Sequence, residues 1–289
     1  MVVFHKSIQF LKISICIPTY NSEKTIASVL EAAVCQNFPL DQIVVLDDCS
    51  NDRTISIISD YNVKLVKSSK NVGRGAIRKT AIEIVDSDFI LFCDSTNLLP
   101  QDFIVDSIDA FKDKKISAVS GRISNDKSLK GHVASWRSRH LFKENFNFGS
   151  SYLDATSLTT YGTILRRSAV LDVGNFNPSL RHSEDKDLGK RLLNAGYKII
   201  GDPKLVVYSI KKDSVLSVLE RYWRWYGGTD EKFGMKDYWH AIKASFRPMM
   251  QEDIKANDWR AAFVSFICPH YGYFRHLYRK FTGKLQRTD

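Results

Sequence analysis

The sequence predicts an α/β fold in which a doubly wound, mostly parallel sheet is flanked by helices and followed by a helical C-terminal extension. Within the first hundred of its 289 residues, four apolar runs of strand length are each followed by a helical pattern. Repeated strand–helix units favour parallel strands joined by right-handed crossovers. Hydroxyl or acidic side chains directly follow three of these runs. The sequence therefore predicts a site at one sheet edge, because ligands of open α/β sheets bind beyond the carboxyl ends of strands.

The first four strands are predicted where apolar runs meet turn or acidic residues. They lie at 12–17, 42–46, 63–66 and 89–93, and helices follow at about 22–36, from 52 onward, from the loop 71–78 to 85, and at 101–111. The run at 89–93 is apolar throughout and ends at Asp94. This pattern is typical of a strand that is covered on both faces.

Thr19, Asp48 and Asp94 each come just beyond a predicted strand, so we expect them at neighbouring positions of the sheet edge. Arg74 and Arg78 enter this edge from a glycine-bearing loop, and the resulting crevice suits a nucleotide. The first strand lacks the following glycines that a dinucleotide fingerprint requires, which disfavours a hydride-transfer enzyme.

The second half of the chain predicts strands at 116–121, 161–167 and 197–200, and a helix that begins after Ser183. Ser183 is the expected cap of this helix, and Glu184 and Asp185 fall in its first turn, where the helix dipole favours ionised carboxylates. The two acids either belong to a functional site or only stabilise the helix start.

Two stretches leave alternatives open. Residues 122–158 are polar and basic, and we favour a solvated surface over a lid or an acceptor-binding segment. The helix that begins at Ser214 contains the sequence RYWRW at 221–225, which lines a binding groove or belongs to the core.

The composition limits the classes of binding partner. Forty-two Lys and Arg against thirty-two Asp and Glu give a net charge of +10, which is compatible with nucleic acid, anionic lipid or phosphate-bearing substrates. No recognised nucleic-acid-binding motif accompanies the charge, so nucleic acid is not a predicted partner. Five cysteines without a CxxC pair predict buried free thiols in a reducing compartment.

From Trp259 onward the chain interleaves cations with aromatic residues. This pattern predicts either an amphipathic helix on an anionic membrane surface or a packed helix with a solvated basic face. The apolar stretch 261–274 is shorter than the roughly 20 residues that span a bilayer, and we identify no secretory signal. We expect a cytoplasmic protein, with peripheral attachment to the cytoplasmic face of the membrane as one alternative.

Six fragments then stand in a characteristic order. They are ICIPTYN at 15–21, VLDDCSNDRT at 45–54, NVGRGAIR at 71–78, FCD at 92–94 with Pro100, GNF at 174–176, and SEDKDL at 183–188. In this order and spacing the chain resembles the family 2 glycosyltransferases, whose fold is the GT-A nucleotide-binding α/β domain. Arg224 and Trp225 resemble the end of a further family motif, QxxRW, in which Arg221 replaces the Gln.

The resemblance implies inverting transfer of a sugar from a nucleotide-diphosphate sugar, with Asp185 as the catalytic base. It implies nucleotide-sugar-binding roles for the residues Pro18, Thr19, Tyr20, Asp48, Arg78 and Asp94. It also implies that Asp94 binds Mg²⁺ or Mn²⁺ against the diphosphate, and that Glu184, Arg224 and Trp225 bind the acceptor.

The chain departs from the family's DxD motif at one position, because Thr96 replaces the second acid. A hydroxyl is a weaker ligand than a carboxylate for these ions. Three outcomes follow, in order of preference: Asp94 and Asn97 still place the metal, basic residues substitute for it, or the enzyme is impaired.

We therefore predict a non-processive glycosyltransferase, with a UDP-sugar favoured as donor and a lipid-linked or polysaccharide acceptor. The expectation of non-processive action follows from the lack of transmembrane helices in the sequence, since a channel for a growing polymer would need them. Residues 1–210 form the predicted catalytic domain, and 211–289 the helical, basic and aromatic extension. The alternative is a non-catalytic nucleotide-sugar-binding homologue, which Thr96 favours.

Overall fold

The computed structural model describes residues 11–144, 153–155, 157–226 and 234–282. The chain divides into two compact units, Met1–Ser124 with Phe148–Lys211 and Asn125–Asn147 with Lys212–Asp289. The second unit thus combines the predicted C-terminal extension with residues 125–147, which belong to the first predicted domain. The assignment of separate functions to residues 1–210 and 211–289 stays a prediction.

Nine strands of the described residues form one sheet. They are β1 Ile13–Thr19, β2 Gln42–Asp47, β3 Lys64–Lys67, β4 Phe89–Cys93, β5 Asn97–Leu98, β6 Ile116–Asn125, β7 Leu153–Asp154, β8 Gly162–Arg166 and β9 Lys198–Ser209. The α-helices are α1 Ile26–Val34, α2 Thr54–Ile58, α3 Arg74–Ile84, α4 Phe103–Ile108, α5 His132–Trp136, α6 Arg167–Asp172, α7 Glu184–Asn194, α8 Val215–Tyr226, α9 Met235–Ala244, α10 Met250–Lys255 and α11 Trp259–Thr282. Short 3₁₀ or π turns occupy Asp109–Lys112, Arg137–Leu141 and Ser245–Met249.

The strand order is β3-β2-β1-β4-β8-β6-β9-β5, and β7 pairs with β9. The four strands predicted from the first hundred residues pair in parallel, and Thr19 stands in register with Asp47. β8 runs antiparallel to both β4 and β6, and β9 runs antiparallel to β5 and β7. The predicted α/β fold with flanking helices and a helical C-terminal region is confirmed. The sequence predicts a mostly parallel sheet, but the sheet is mixed, because β1 to β4 pair in parallel whereas β8 and β9 form antiparallel pairs.

β4 is buried along its whole length. Phe89, Leu91 and Cys93 pack into the hydrophobic cluster on one face of the sheet, and Ile90 and Phe92 pack into the cluster on the other. A strand with two buried faces needs apolar residues at every position, which is why its sequence is a continuous run. Asp94 is the first residue after this strand, which is buried on both faces.

The interpretation of 122–158 as a solvated surface is wrong for its described helical part. Trp136 is fully buried, and its indole N–H donates to Ser265 Oγ at 2.8 Å. Arg137 is buried as well and forms an ion pair of 2.7 Å with Asp213. From the sequence alone, a buried charge that forms an ion pair with a residue distant in the chain cannot be distinguished from a solvated charge.

A second buried polar network surrounds Asp253 in α10. Its carboxylate accepts hydrogen bonds from Arg139 at 2.7 Å, His140 at 2.8 Å and Ser265 at 2.6 Å. Burial raises the pKa of Asp253, but these hydrogen bonds outweigh it and hold the pKa below its usual value. The network links Arg139 and His140, just after α5, to α10 and α11 within the second unit.

Cys16, Cys93 and Cys268 are buried free thiols, as predicted. Cys35 and Cys49 are exposed, so the prediction of burial is wrong for these two. None of the described helices combines the length and the apolar character that crossing a membrane requires.

Candidate active site

The edge formed by β1 and β2 places Thr19 beside two acids. The backbone N–H of Asp48 donates to the carbonyl of Thr19 at 2.9 Å, which continues the parallel pairing past the end of β2. Asp47 accepts the N–H of Ser50 at 3.0 Å. The Thr19 hydroxyl is buried and has no hydrogen-bond partner among the described residues. Pro18 and Tyr20, on either side of Thr19, are partly exposed at the same edge.

Asp48 holds the glycine-bearing loop. Its Oδ1 accepts the N–H of Val72 at 2.6 Å, and its Oδ2 accepts the N–H of Gly73 at 2.9 Å. Burial raises the pKa of the Asp48 carboxyl and outweighs these donors and the nearby Arg181. A carboxylate has about four acceptor positions, so a contact with a nucleotide base remains open and stays a prediction.

Arg78 connects three segments that are far apart in the sequence. Its Nη2 donates to Asp94 Oδ1 at 2.9 Å, and its Nη1 forms an ion pair with Glu184. The guanidinium packs over the ring of Phe92, with 5.8 Å from Cζ to the ring centroid, and the side chain is only 2 % exposed. Its Nε–H is buried and has no partner among the described residues.

Asp185 follows Glu184 at the start of α7 and is partly exposed. Burial raises the pKa of Asp185, and the Glu184 carboxylate raises it further. Arg78, the N–H of Lys186 and Arg74 lower it, but not enough to restore the ordinary value. An aspartate with a raised pKa next to a solvent-accessible edge is typical of an acid–base group.

The predicted cap of α7 differs from the structure. Ser183 occupies the N-cap position, but its side chain makes no capping hydrogen bond, and its backbone is left-handed with φ of 60°. Asn21 and Cys49, just after β1 and β2, are also left-handed, with φ of 47° and 69°. Such residues cost on the order of 1–3 kcal/mol each and concentrate at functional sites.

Arg181 is a candidate site residue that no pattern in the sequence predicts. Its guanidinium donates to the Asn71 side chain, and the charge is close enough to Asp48 to lower the pKa of that carboxyl. It lies in the segment between α6 and α7, where the sequence shows no periodic pattern that would place it. Only the return of this segment onto the glycine loop brings Arg181 to the sheet edge.

Beyond β4, Asp94 is the single carboxylate at the predicted metal position. Its Oδ1 is used by Arg78, and its Oδ2 makes no hydrogen bond to the described residues. Thr96 is partly exposed, whereas Asn97 is buried and its amide nitrogen donates to the carbonyl of Tyr161 at 3.0 Å. The described residues contain no group of three or more His, Cys, Asp or Glu that could hold a metal.

The model of the family described as glycosyl transferase family 2 matches residues 14–174, more than half of the chain. The chain belongs to this family. The matched residues include the loops after β1, β2 and β4 and the glycine-bearing loop. The candidate site residues Thr19, Asp48, Arg78 and Asp94 therefore lie within the match.

Among curated proteins, the chain is 30 % identical over 213 residues to the poly(ribitol-phosphate) β-N-acetylglucosaminyltransferase TarS of Staphylococcus aureus. The alignment covers 70 % of this chain and 36 % of that protein, so the chain spans little more than a third of that relative's length. It is 26 % identical over 198 residues to the O-antigen chain rhamnosyltransferase RfbN of Salmonella typhimurium, covering 65 % of this chain and 63 % of that protein.

Two solved structures support the fold. S. aureus TarS 1–349 in complex with UDP-GlcNAc superposes with a TM-score of 0.57 at 18 % identity, covering 96 % of this chain and 94 % of that one. The mannosyltransferase PcManGT from Pyrobaculum calidifontis, in complex with GDP-Man and Mn²⁺, gives 0.54 at 16 % identity, covering 94 % and 76 %. Both likenesses concern the fold.

The side chains at this position could bind a divalent ion through a single carboxylate, that of Asp94. Mg²⁺ commonly binds through one or two carboxylates together with substrate phosphates, and Asp94 offers one carboxylate oxygen that Arg78 does not use. Thr96 supplies at most a hydroxyl. A divalent ion at this position would therefore have a single carboxylate ligand among the described residues.

Arg224 and Trp225, from the predicted QxxRW remnant, are partly buried in α8 of the second unit. Trp225 lies against Phe142, with 6.0 Å between ring centroids. Arg221, at the Gln position of the motif, forms an ion pair of 3.2 Å with Asp213. The predicted roles of Arg224 and Trp225 in acceptor binding stay predictions.

Position 75, in the first turn of α3, requires a glycine because the backbone of another segment approaches it closely. The N–H of Gly75 donates to the carbonyl of Leu180 at 3.1 Å, and a β-carbon on residue 75 would clash with the carbonyl oxygens of Asn177 and Leu180. We predict that Gly75→Ala separates the glycine loop from this segment, lowering the stability by about 1–3 kcal/mol and weakening nucleotide binding. Urea unfolding and calorimetric titration measure both effects.

Gly234→Ala is the matched control, because an added β-carbon there would lie 3.6 Å from Asp237 and meet no closer group. Equal stability and nucleotide affinity of the two variants would contradict the close packing of the glycine loop.

Proposed function

We propose that the protein is an inverting glycosyltransferase that moves a sugar from a nucleotide-diphosphate sugar, with a UDP-sugar favoured, to a hydroxyl of a lipid-linked or polysaccharide acceptor. This proposal rests mainly on one observation, the two ion pairs that Arg78 forms. They join Asp94, at the end of β4, to Glu184, the neighbour of Asp185. A diphosphate-side carboxylate and a candidate base are thereby held in one site.

In the proposed reaction, the acceptor oxygen attacks the anomeric carbon while Asp185 takes the hydroxyl proton. The bond from the anomeric carbon to the diphosphate oxygen breaks, and its electron pair leaves with the nucleoside diphosphate. A positioned carboxylate base and positive charge beside the leaving group are the two contributions such a displacement needs. One base and one displacement invert the anomeric configuration.

Arg74 and Arg181 are the exposed cations that we propose to face the diphosphate. Arg74 lowers the pKa of Asp185, and Arg181 lowers that of Asp48, so each is electrostatically close to one end of the site. Arg78 was predicted at the diphosphate too. Since both of its terminal nitrogens are used in ion pairs, we propose that it mainly positions Asp94 and Glu184.

Glu184 is 3 % exposed in its ion pair with Arg78. We propose that it fixes the start of α7 and thereby aims Asp185, with direct contact to the acceptor as its second, predicted role. Pro18, Thr19, Tyr20 and Asp48 remain the proposed nucleotide pocket. The free buried hydroxyl of Thr19 supports this assignment.

When bound, Mg²⁺ or Mn²⁺ would neutralise the diphosphate charge, held on the protein side by Asp94. We also propose peripheral attachment at the cytoplasmic face of the membrane, which the cations and aromatic residues interleaved from Trp259 onward support. The competing proposal is a nucleotide-sugar-binding protein without turnover, and Thr96 is the feature that favours it.

Asp185→Asn is expected to lower turnover by at least about a hundredfold, because a general base is removed, while donor binding is kept. Release of nucleoside diphosphate from a panel of UDP-, GDP- and dTDP-sugars measures turnover, and calorimetry measures binding. Asp187→Asn, on the same helix and paired with Arg191 at 2.6 Å, is the control and should retain activity. Donor binding by the wild type without turnover of any sugar would favour the binding-protein proposal.

On the acid side of the pH profile, we expect the turnover rate to fall at a pH above the ordinary pKa range of aspartate. The active form of Asp185 is the carboxylate, and burial and Glu184 raise its pKa, so protonation removes the base at a higher pH than usual. Glu184→Gln removes the neighbouring negative charge and is expected to move this limb to lower pH. The pH profile of kcat is the measurement, and a limb that stays fixed in this variant would refute the coupling.

Removal of divalent ions should abolish turnover, and Mn²⁺ or Mg²⁺ should restore it. Thr96→Asp adds a second carboxylate and is expected to lower the Mn²⁺ concentration needed for half-maximal rate, whereas Asp94→Asn raises it. Asp86→Asn, whose side chain is 99 % exposed, is the control and should match the wild type. Undiminished activity in chelator would remove the metal from the proposal.

A further inference from the structure

Large aromatic side chains are exposed on the second unit, with exposed fractions from 39 % for Phe246 to 81 % for Phe281. We call this surface the aromatic face, and its residues are Trp239, Phe246, Trp259, Phe263, Phe266, Phe274, Tyr278 and Phe281. Folded proteins rarely leave so many large aromatic rings in water on neighbouring elements without a binding partner.

The part of this face on α11 follows the helical period. The exposed rings stand at 259, 263, 266, 274, 278 and 281, and His270 occupies the intervening position of the same stripe. Steps of three and four residues place side chains on one side of a helix. The opposite side is buried at Ala261, Val264 and Cys268, so the packed side of α11 already has its cover within the second unit.

Helix α9 and the turn after it extend the stripe into a wider patch. Phe246 contacts Phe266, and Phe266 contacts Phe263, with centroid distances of 5.9 and 6.3 Å. The ring of Tyr238, next to Trp239, lies against that of Tyr273, with 4.6 Å between the centroids and an interplanar angle of 31°. The aromatic face is therefore continuous across two segments, 235–249 and 259–281, and is not confined to the C-terminal helix.

Exposed cations lie in the same stretch of the chain as the aromatic face. The exposed ones among the described residues of 235–260 are Lys236, Lys243, Arg247, Lys255 and Arg260. Arg260 lies over the ring of Trp259, 5.4 Å from the centroid. Of the acids in the same range, Asp253 is buried and Asp258 is paired with Arg139, which leaves Asp237 and Glu252 exposed. The exposed charge of this stretch is therefore net positive.

We propose that the aromatic face binds an anionic lipid surface. Exposed Trp, Tyr and Phe with a border of Lys and Arg is the composition of interfacial membrane-binding helices. Protein–protein interfaces share the aromatic enrichment but are depleted in Lys, which supplies three of the five exposed cations here. The rings enter the headgroup region of the bilayer, and the exposed cations meet the lipid phosphates.

The proposal is tested by flotation of the whole protein with vesicles of phosphatidylcholine, alone or with phosphatidylglycerol added. The wild type is expected to float with the anionic vesicles and much less with the neutral ones. Replacing Lys236, Lys243 and Lys255 by Gln should weaken binding to anionic vesicles by about a hundredfold, at about fivefold per charge. Replacing Lys24, Lys64 and Lys114 by Gln, which are exposed on the first unit, should change nothing.

The rings are tested by the triple variant Trp259→Ser, Phe263→Ser and Phe274→Ser, whose wild-type side chains are all more than half exposed and so contribute little to the core. It should lose flotation, whereas its melting temperature and its turnover with a water-soluble acceptor stay at the wild-type values. A blue shift of tryptophan fluorescence on adding anionic vesicles, absent from this variant, is the second readout.

Equal binding to neutral and anionic vesicles, or none to either, would overturn the proposal. A concentration-dependent dimer that the triple aromatic variant abolishes would show instead that a second copy covers this face. Flotation requires no sugar transfer, so its failure would leave the proposed transferase activity intact, and failure of turnover would leave the membrane proposal intact.

Discussion

The buried charge of Arg78 is the constraint on which the site depends. A guanidinium that is 2 % exposed must be paired, because an uncompensated buried charge costs several kcal/mol. Its partners come from the end of β4 and the start of α7, 16 and 106 residues further along the chain. Satisfying one charge therefore brings together α3, β4 and α7, and with them the carboxylates of Asp94 and Asp185.

The second unit uses the same chemistry for a different purpose. Its interior contains the paired charges of Arg137 with Asp213 and of Glu220 with Arg275, while several of its largest aromatic rings face outward. A membrane-binding face is the role that we propose for them.

The parallel half of the fold was predictable because it is local. Each of its strands is a continuous apolar run followed by a helix, and such units pair in a known handedness. The antiparallel half was not, because β8 lies between β4 and β6 only by long-range pairing that leaves no periodic mark in the sequence. The buried helix around Trp136 was missed for a related reason, since its arginines have partners far along the chain.

The sequence by itself determined the family, the strand ends that carry Thr19, Asp48 and Asp94, and the replacement of an acid by Thr96, because these depend on residue identity and short-range order. Only the tertiary structure decided how those residues are used. It pairs Arg78, for which the resemblance implies nucleotide-sugar binding, with two carboxylates, and it brings Arg181 against Asn71 of the glycine-bearing loop. Pairing of charges is a property of three-dimensional proximity, which residue order alone does not encode.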